Sequence, residues 1–260
     1  MCLNKEPDQA IQVFVISLQE STERRERIKK QLDQRGIAFQ FFDAINSHYH
    51  VCVLEQFENA QKTKRIKGYR LKTPELACFA SHRQLWKKCV DNKKPIVILE
   101  DNVDLNDFSI LDFIKICEQV RNYPYIKLAA TRKKKFLKIK KVCANYHLGQ
   151  YIGNTCGTTA YIVGPIAAQA FLDGSKQFIE PVDDYMEKSW KHSVKTYSIS
   201  PSLFERAKIT STISSASSRK LKENIGLMSW IYIESYRVFE FFLRLFHFLD
   251  WSKIIKNKIV

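Results

Sequence analysis

Apolar and polar positions along the chain follow two periods. Short, nearly unbroken apolar runs at residues 12–18, 37–42, 96–99, 125–131, 160–163 and 195–200 predict strands. Unbroken runs of this kind belong to a sheet covered on both faces. Between them, apolar residues recur every three to four positions. Residues 21–35 predict a helix that starts at Ser21 or Thr22 and stops at Gly36. Ile28 and Leu32 mark its apolar side, and Arg24, Arg25, Arg27, Lys29 and Lys30 crowd the rest. Thr73, Pro74 and Glu75 supply an N-cap, a first-position proline and a first-turn acid. The helix they open runs to about Asp91, with Leu76, Phe79, Trp86 and Val90 on one face. Further helices are expected over 107–120, 165–172 and from about 181 to Trp190, whereas 46–72 reads as an irregular insertion. The opening strand–helix–strand is a βαβ unit, so the fold class is α/β of a nucleotide-binding type.

The last stretch differs. From about 223 to 250 a broad apolar face carries Tyr236, Phe239, Phe242, Leu245 and Phe246, with Arg237, Glu240, Arg244 and His247 on a narrow polar stripe. Lys253, Lys256 and Lys258 follow. A Ser/Thr-rich run precedes it, so the expected division is a main domain over 1–209, a linker over 210–222 and an amphipathic helical tail over 223–260. The tail either packs on the domain or on a second copy, giving a homo-oligomer, or lies in a membrane interface with its lysines on anionic lipid. Its charges interrupt it too often for it to span a bilayer.

Charge sharpens this picture. A net charge of +15 over 260 residues calls for an acidic partner, whether nucleic acid, an anionic membrane surface or a phosphorylated substrate. Residues 132–141 carry seven basic side chains, but no nucleic-acid module or stacking set accompanies them, so no nucleic acid is expected as partner. The seven cysteines contain no Cys-x-x-Cys pair and read as buried thiols in a reducing compartment. The polar N-terminus carries no signal-peptide pattern, and a cytoplasmic location is expected.

Candidate chemistry gathers at the end of the 96–99 strand, where Glu100, Asp101, Asn102 and Asp104 follow. Carboxylates at the carboxyl end of a buried strand sit where open α/β sheets bind ligands, and their oxygens suit Mg²⁺ or Mn²⁺. A polar capping loop is the alternative. Arg24 and Arg25, just past the first strand, are within reach of a nucleotide's phosphates, or else form a solvated helix face. Gly153 to Thr159 suits close approach to a ligand, or a turn that needs glycine. Asp183 and Asp184 either complement a helix N-terminus or put a general base in a cleft.

Three segments in register resemble the family 25 glycosyltransferases, which act on lipooligosaccharide and collagen. They are Val13 to Leu18 with Arg24, Arg25 and Asp43; Glu75 to Cys78 with Ser81, His82, Trp86 and Glu100–Asp101; and Gly157 to Tyr161 with Pro181 to Asp184. The resemblance covers about 11–200. It implies a GT-A-like (Rossmann-related) mixed sheet flanked by helices, and inverting transfer of galactose or glucose from a UDP-sugar to a lipid-linked oligosaccharide acceptor. It further implies Mn²⁺ or Mg²⁺ on Asp101, Asn102 and Asp104, and donor binding by Ser17, Leu18, Arg24, Arg25, Ser81, His82 and Glu100. Asp184 or Asp183 would be the base, Asp184 marginally preferred. With such an acceptor, the basic surface and aromatic tail lead to the expectation of a peripheral place on the inner face of a bacterial cytoplasmic membrane. One position departs: the family's Glu-Asp-Asp ends here in Asn102, whose amide oxygen ligates without charge. A catalytically impaired relative that binds glycans or assembles other enzymes is therefore the alternative.

Overall fold

The computed structural model describes residues 11–49, 54–132, 134–143, 145–208, 226–247 and 249. The stretch expected as a linker lies wholly outside them, as do the lysines after residue 250.

A mixed eight-stranded sheet runs through the molecule. Its strands are β1 (Gln12–Ser17), β2 (Gln40–Asp43), β3 (Ile96–Glu100), β5 (Tyr125–Lys127), β6 (Phe136–Lys141), β7 (His147–Tyr151), β8 (Ala160–Val163) and β9 (Tyr197–Ser200), in the order β2-β1-β3-β8-β5-β9-β7-β6. β2, β1 and β3 are parallel, with Ser17 opposite Asp43 and Ile16 opposite Glu100. Three strand ends therefore share one edge of the sheet. β8 enters antiparallel to β3, pairing Ala160 with Leu99, so the chain just before β8 arrives at that same edge. β4 (Val103–Leu105) and β10 (Phe204–Arg206) form a separate two-stranded ribbon.

β3 is covered on both faces, as its unbroken apolar run requires. Val97 and Leu99 join Ile28 and Leu32 of α1 (Thr22–Gln34) and Phe113 and Ile116 of α4 (Ile110–Cys117) in one core. Ile96 and Ile98 join Phe79 and Trp86 of α3 (Thr73–Asp91) and Phe171 of α5 (Pro165–Gly174) in the other.

Several expected boundaries shift for local reasons. The second strand begins at Gln40 rather than Ile37, because the Ile37 N–H returns to the Leu32 carbonyl (3.0 Å) and closes the end of α1 around Gly36, whose φ is +69°. Lys72, not Thr73, caps α3, and the Glu75 carboxylate accepts its backbone N–H at 2.9 Å. The fourth run leaves the sheet after Lys127, since the Leu128 carbonyl accepts the N–H groups of Leu203 and Phe204. The insertion contains α2 (Ala60–Lys67), and Phe136–Lys141 of the basic stretch form one arm of the β6–β7 hairpin. The helix expected from 181 to 190 is two: α6 (Val182–Met186) and α7 (Ser189–His192), with Glu187 and Lys188 between them on buried ion pairs. A last helix, α8 (Leu227–His247), packs against α2 and α7.

Candidate active site

The shared sheet edge opens into a cleft of about 440 Å³ lined by Ser17, Leu18, Arg24, Cys78, Ser81, Glu100, Asp101 and Asn102, among others. Each lining group has a structural reason to be there. Ser17, the last residue of β1, donates to Asp101 (2.7 Å), and Arg24, one turn into α1, donates to the same carboxylate at 3.3 Å. Ser81 donates to the Ala77 carbonyl and accepts the Ile45 N–H (2.9 Å), which anchors the wall formed by residues 44–48. Arg25 is spent locally: it donates to the carbonyls of Ser17 (2.9 Å) and Leu18 (3.1 Å), pairs with Asp43 and stacks over Phe41.

Of the three expected metal ligands, two meet. Asp101 and Asn102 both line the cleft, and the Asn102 Oδ1 is buried with no hydrogen-bond partner. A buried amide oxygen left open costs about 1–3 kcal/mol, so a group able to fill its lone pairs belongs there. Asp104 is turned onto α1, where Arg27 pairs with it and Gln31 donates at 3.2 Å. Glu100, expected to contact the donor, supplies the third oxygen-bearing side chain instead. Glu100, Asp101 and Asn102 therefore line the cleft together, and Asp104 does not.

Glu100 is fixed from behind by a buried chain that the apolar pattern concealed. The Trp86 Nε1–H donates to the Tyr161 hydroxyl (2.9 Å), and that hydroxyl lies 2.8 Å from His82 Nδ1. Tryptophan only donates, so the phenol's single hydrogen is left for Nδ1, and His82 carries its proton on Nε2. The opposite tautomer would strand a buried O–H. His82 Nε2 faces Glu100 at 3.7 Å. Burial alone would raise the Glu100 pKa, but His82 and the Thr158 hydroxyl, which donates to it, bring it below the ordinary value. Cys78, His82 and Glu100 offer donor atoms within 4.8 Å of one another.

The two neighbouring aspartates have opposite surroundings. Asp183 accepts the Gly157 N–H (3.2 Å), and burial raises its pKa, with Asp184 adding to the rise and Gly157 and Lys127 opposing it. Gly157 and Thr158 are consecutive, so one loop holds both Asp183 and Glu100. Only glycine fits at 157: φ is +74°, and a Cβ would lie 2.5 Å from the Thr131 Oγ1. The loop is pinned by Glu187, which accepts from Thr155 N–H and Oγ1 (3.0 Å each) and from Lys127 (2.6 Å). Asp184 instead pairs with Lys67 (2.7 Å) and Lys188 (3.2 Å), in a cluster with Glu180, Lys191 and Glu240. Burial would raise its pKa, yet Lys188 and Lys67 hold it well below the carboxylate range. Lys127 and Glu187 escaped the sequence reading, which gave Lys67 only as part of a basic segment and Tyr161 only as the end of a resembling one. Tyr161 left one trace, since a phenol within a strand buried on both faces needs a partner for its hydroxyl.

Acidic and basic side chains meet here at the carboxyl ends of parallel strands, where open α/β sheets bind ligands. The sequence profile described as glycosyltransferase family 25 (LPS biosynthesis protein) matches residues 10–186, and the chain belongs to that family. It is 29% identical over 211 residues to the lacto-N-neotetraose biosynthesis glycosyltransferase LgtE of Neisseria gonorrhoeae, covering 74% of this chain and 73% of that one. It is also 40% identical over 97 residues to the lipooligosaccharide biosynthesis protein lic2B of Haemophilus influenzae, which is 36% of this chain and 34% of the relative. A glycosyltransferase 25 family member of Drosophila melanogaster is 24% identical over 212 residues, covering 75% of this chain and 34% of that protein.

Proposed function

We propose that this chain is an inverting, GT-A-type hexosyltransferase that moves galactose or glucose from a UDP-sugar to a lipooligosaccharide core. One observation carries the reading: Arg24, Glu100, Asp101 and Asn102, whose Oδ1 is buried without a partner, line a single cleft at the ends of β1 and β3, in a chain of this family. The acceptor hydroxyl oxygen forms a bond to the anomeric carbon while the bond from that carbon to the UDP oxygen breaks. The hydroxyl proton passes to a carboxylate, and UDP leaves with the electron pair. Neither aspartate is among the residues that line the cleft, and of the two Asp183 is the better base. Its pKa is raised and its partner is a backbone N–H, whereas two lysines hold the Asp184 charge and quench its basicity. Mn²⁺ or Mg²⁺ held by Glu100, Asp101 and Asn102 would offset charge on the leaving diphosphate. Arg24 is suited to the same phosphates.

The test is UDP release from a panel of UDP-sugars with Mn²⁺ and a core oligosaccharide. Turnover that Asp101→Ala abolishes supports the proposal, and undiminished turnover in that variant or in excess chelator refutes the metal role. The uncharged Asn102 favours a second reading, a catalytically impaired relative that binds glycans. If Asn102→Asp raises turnover from near zero, that reading is correct; if it changes little, the natural site already works.

A further inference from the structure

The helix α8 is docked the wrong way round for a water-exposed element. An amphipathic helix on a globular domain normally buries its apolar stripe and shows water its polar one. Here the inward positions are Ile233, Tyr236, Glu240, Leu243 and Arg244, and only Ile233 is fully buried among the helix's described side chains. Glu240 pairs with Lys188 and Lys67, the Arg244 guanidinium lies over the Trp190 ring, and Ser189 donates to the His247 carbonyl (2.9 Å). Two members of the polar stripe, Glu240 and Arg244, are thus turned onto the domain, while Arg237 and His247 stay exposed. Outward stand Trp230, Phe239, Phe241, Phe242, Leu245 and Phe246, with Phe246 75% exposed. A contiguous apolar face of this kind marks an interaction surface.

Charge says what covers it. α2 packs beside α8 and adds exposed Lys62 and Arg65, the latter stacked 4.9 Å from the Tyr232 ring centre. Two copies of a +15 chain repel one another, whereas an anionic surface attracts this basic rim. Among the described residues no helix is long and apolar enough to cross a membrane, so α8 can lie on a bilayer but not span it. We propose that α8 docks the protein on an anionic lipid bilayer, with its outward aromatic face in the headgroup–acyl boundary and the basic edge of α2 over the headgroups. Glu240 then ties the docked helix to the ion cluster that holds Asp184, so the membrane element and the candidate site move as one body.

Vesicle flotation tests this without donor or acceptor and is therefore independent of the transferase reading. Wild type should float with phosphatidylglycerol vesicles at low salt and bind phosphatidylcholine vesicles at least about tenfold more weakly. Phe242→Glu with Phe246→Glu should lower binding at least about tenfold while leaving the thermal unfolding midpoint unchanged. A blue shift of tryptophan emission on vesicle addition should shrink in Trp230→Phe. Undiminished flotation of the double variant overturns the proposal. So does absence of vesicle binding together with a concentration-dependent dimer that the same substitutions dissolve, since a second copy would then be the occupant.

Discussion

Lys127→Met is the sharpest test of how the candidate site is held. The Lys127 ammonium donates to Glu187 Oε1 (2.6 Å) and to the Cys156 carbonyl (2.8 Å), and the two side chains are only 2% and 1% exposed. Methionine has a similar length and no charge, so the change removes the cation and keeps most of the volume. Breaking a buried pair by deleting one partner costs about 3–5 kcal/mol, because the remaining charge is stranded in a medium that solvates it poorly. Thr155 still gives Glu187 two hydrogen bonds, which sets the expectation near the lower end, about 3 kcal/mol. With a urea m-value of about 3 kcal/mol per molar, the unfolding midpoint falls by about 1 M. Adding Glu187→Gln removes the stranded charge while keeping an acceptor for Thr155, and should restore at least half of the loss. The assay is equilibrium urea unfolding of the single and double variants. A single variant within about 1 kcal/mol of wild type, or a double variant no better than the single, would show that the pair does not hold the 153–159 loop as argued.

Other consequences concern the same loop and the two acids. Asp183→Asn should lower turnover about 10²–10⁴-fold, measured as UDP release, if Asp183 is the base. It should also raise the melting temperature at pH 7: a group whose pKa is raised on folding stabilises the native state only while protonated, and that contribution is lost as pH rises through the folded value. Asp184→Asn has the opposite sign. A lowered folded pKa stabilises above the unfolded value of 3.8, so thermal melts should show a deficit that persists at pH 5 and shrinks only on further acidification. Gly157→Ala should destabilise by about 1–2 kcal/mol from the left-handed φ alone, with more from the contact at Thr131, read by urea unfolding.

Local physics made much of the frame legible in the sequence. Continuous β-branched runs gave β1 and β3, and the Pro74–Glu75 start gave α3. Gly36 gave the end of α1 because only a residue free to take positive φ ends a helix so sharply. Asp101 and Asn102 were visible as a strand ending in oxygen donors. What depended on residues far apart in the chain was not visible. Asp183 and Asp184 are one position apart on a helix, hence about 100° apart around its axis, and tertiary packing alone turns one to Gly157 and the other to Lys67. Asp104 reads as a ligand by spacing until α1 presents Arg27 and Gln31 to it. The apolar period of α8 fixed a two-faced helix and left open which face the domain takes. A periodicity is symmetric under that choice, and only the buried lysines opposite Glu240 break the symmetry.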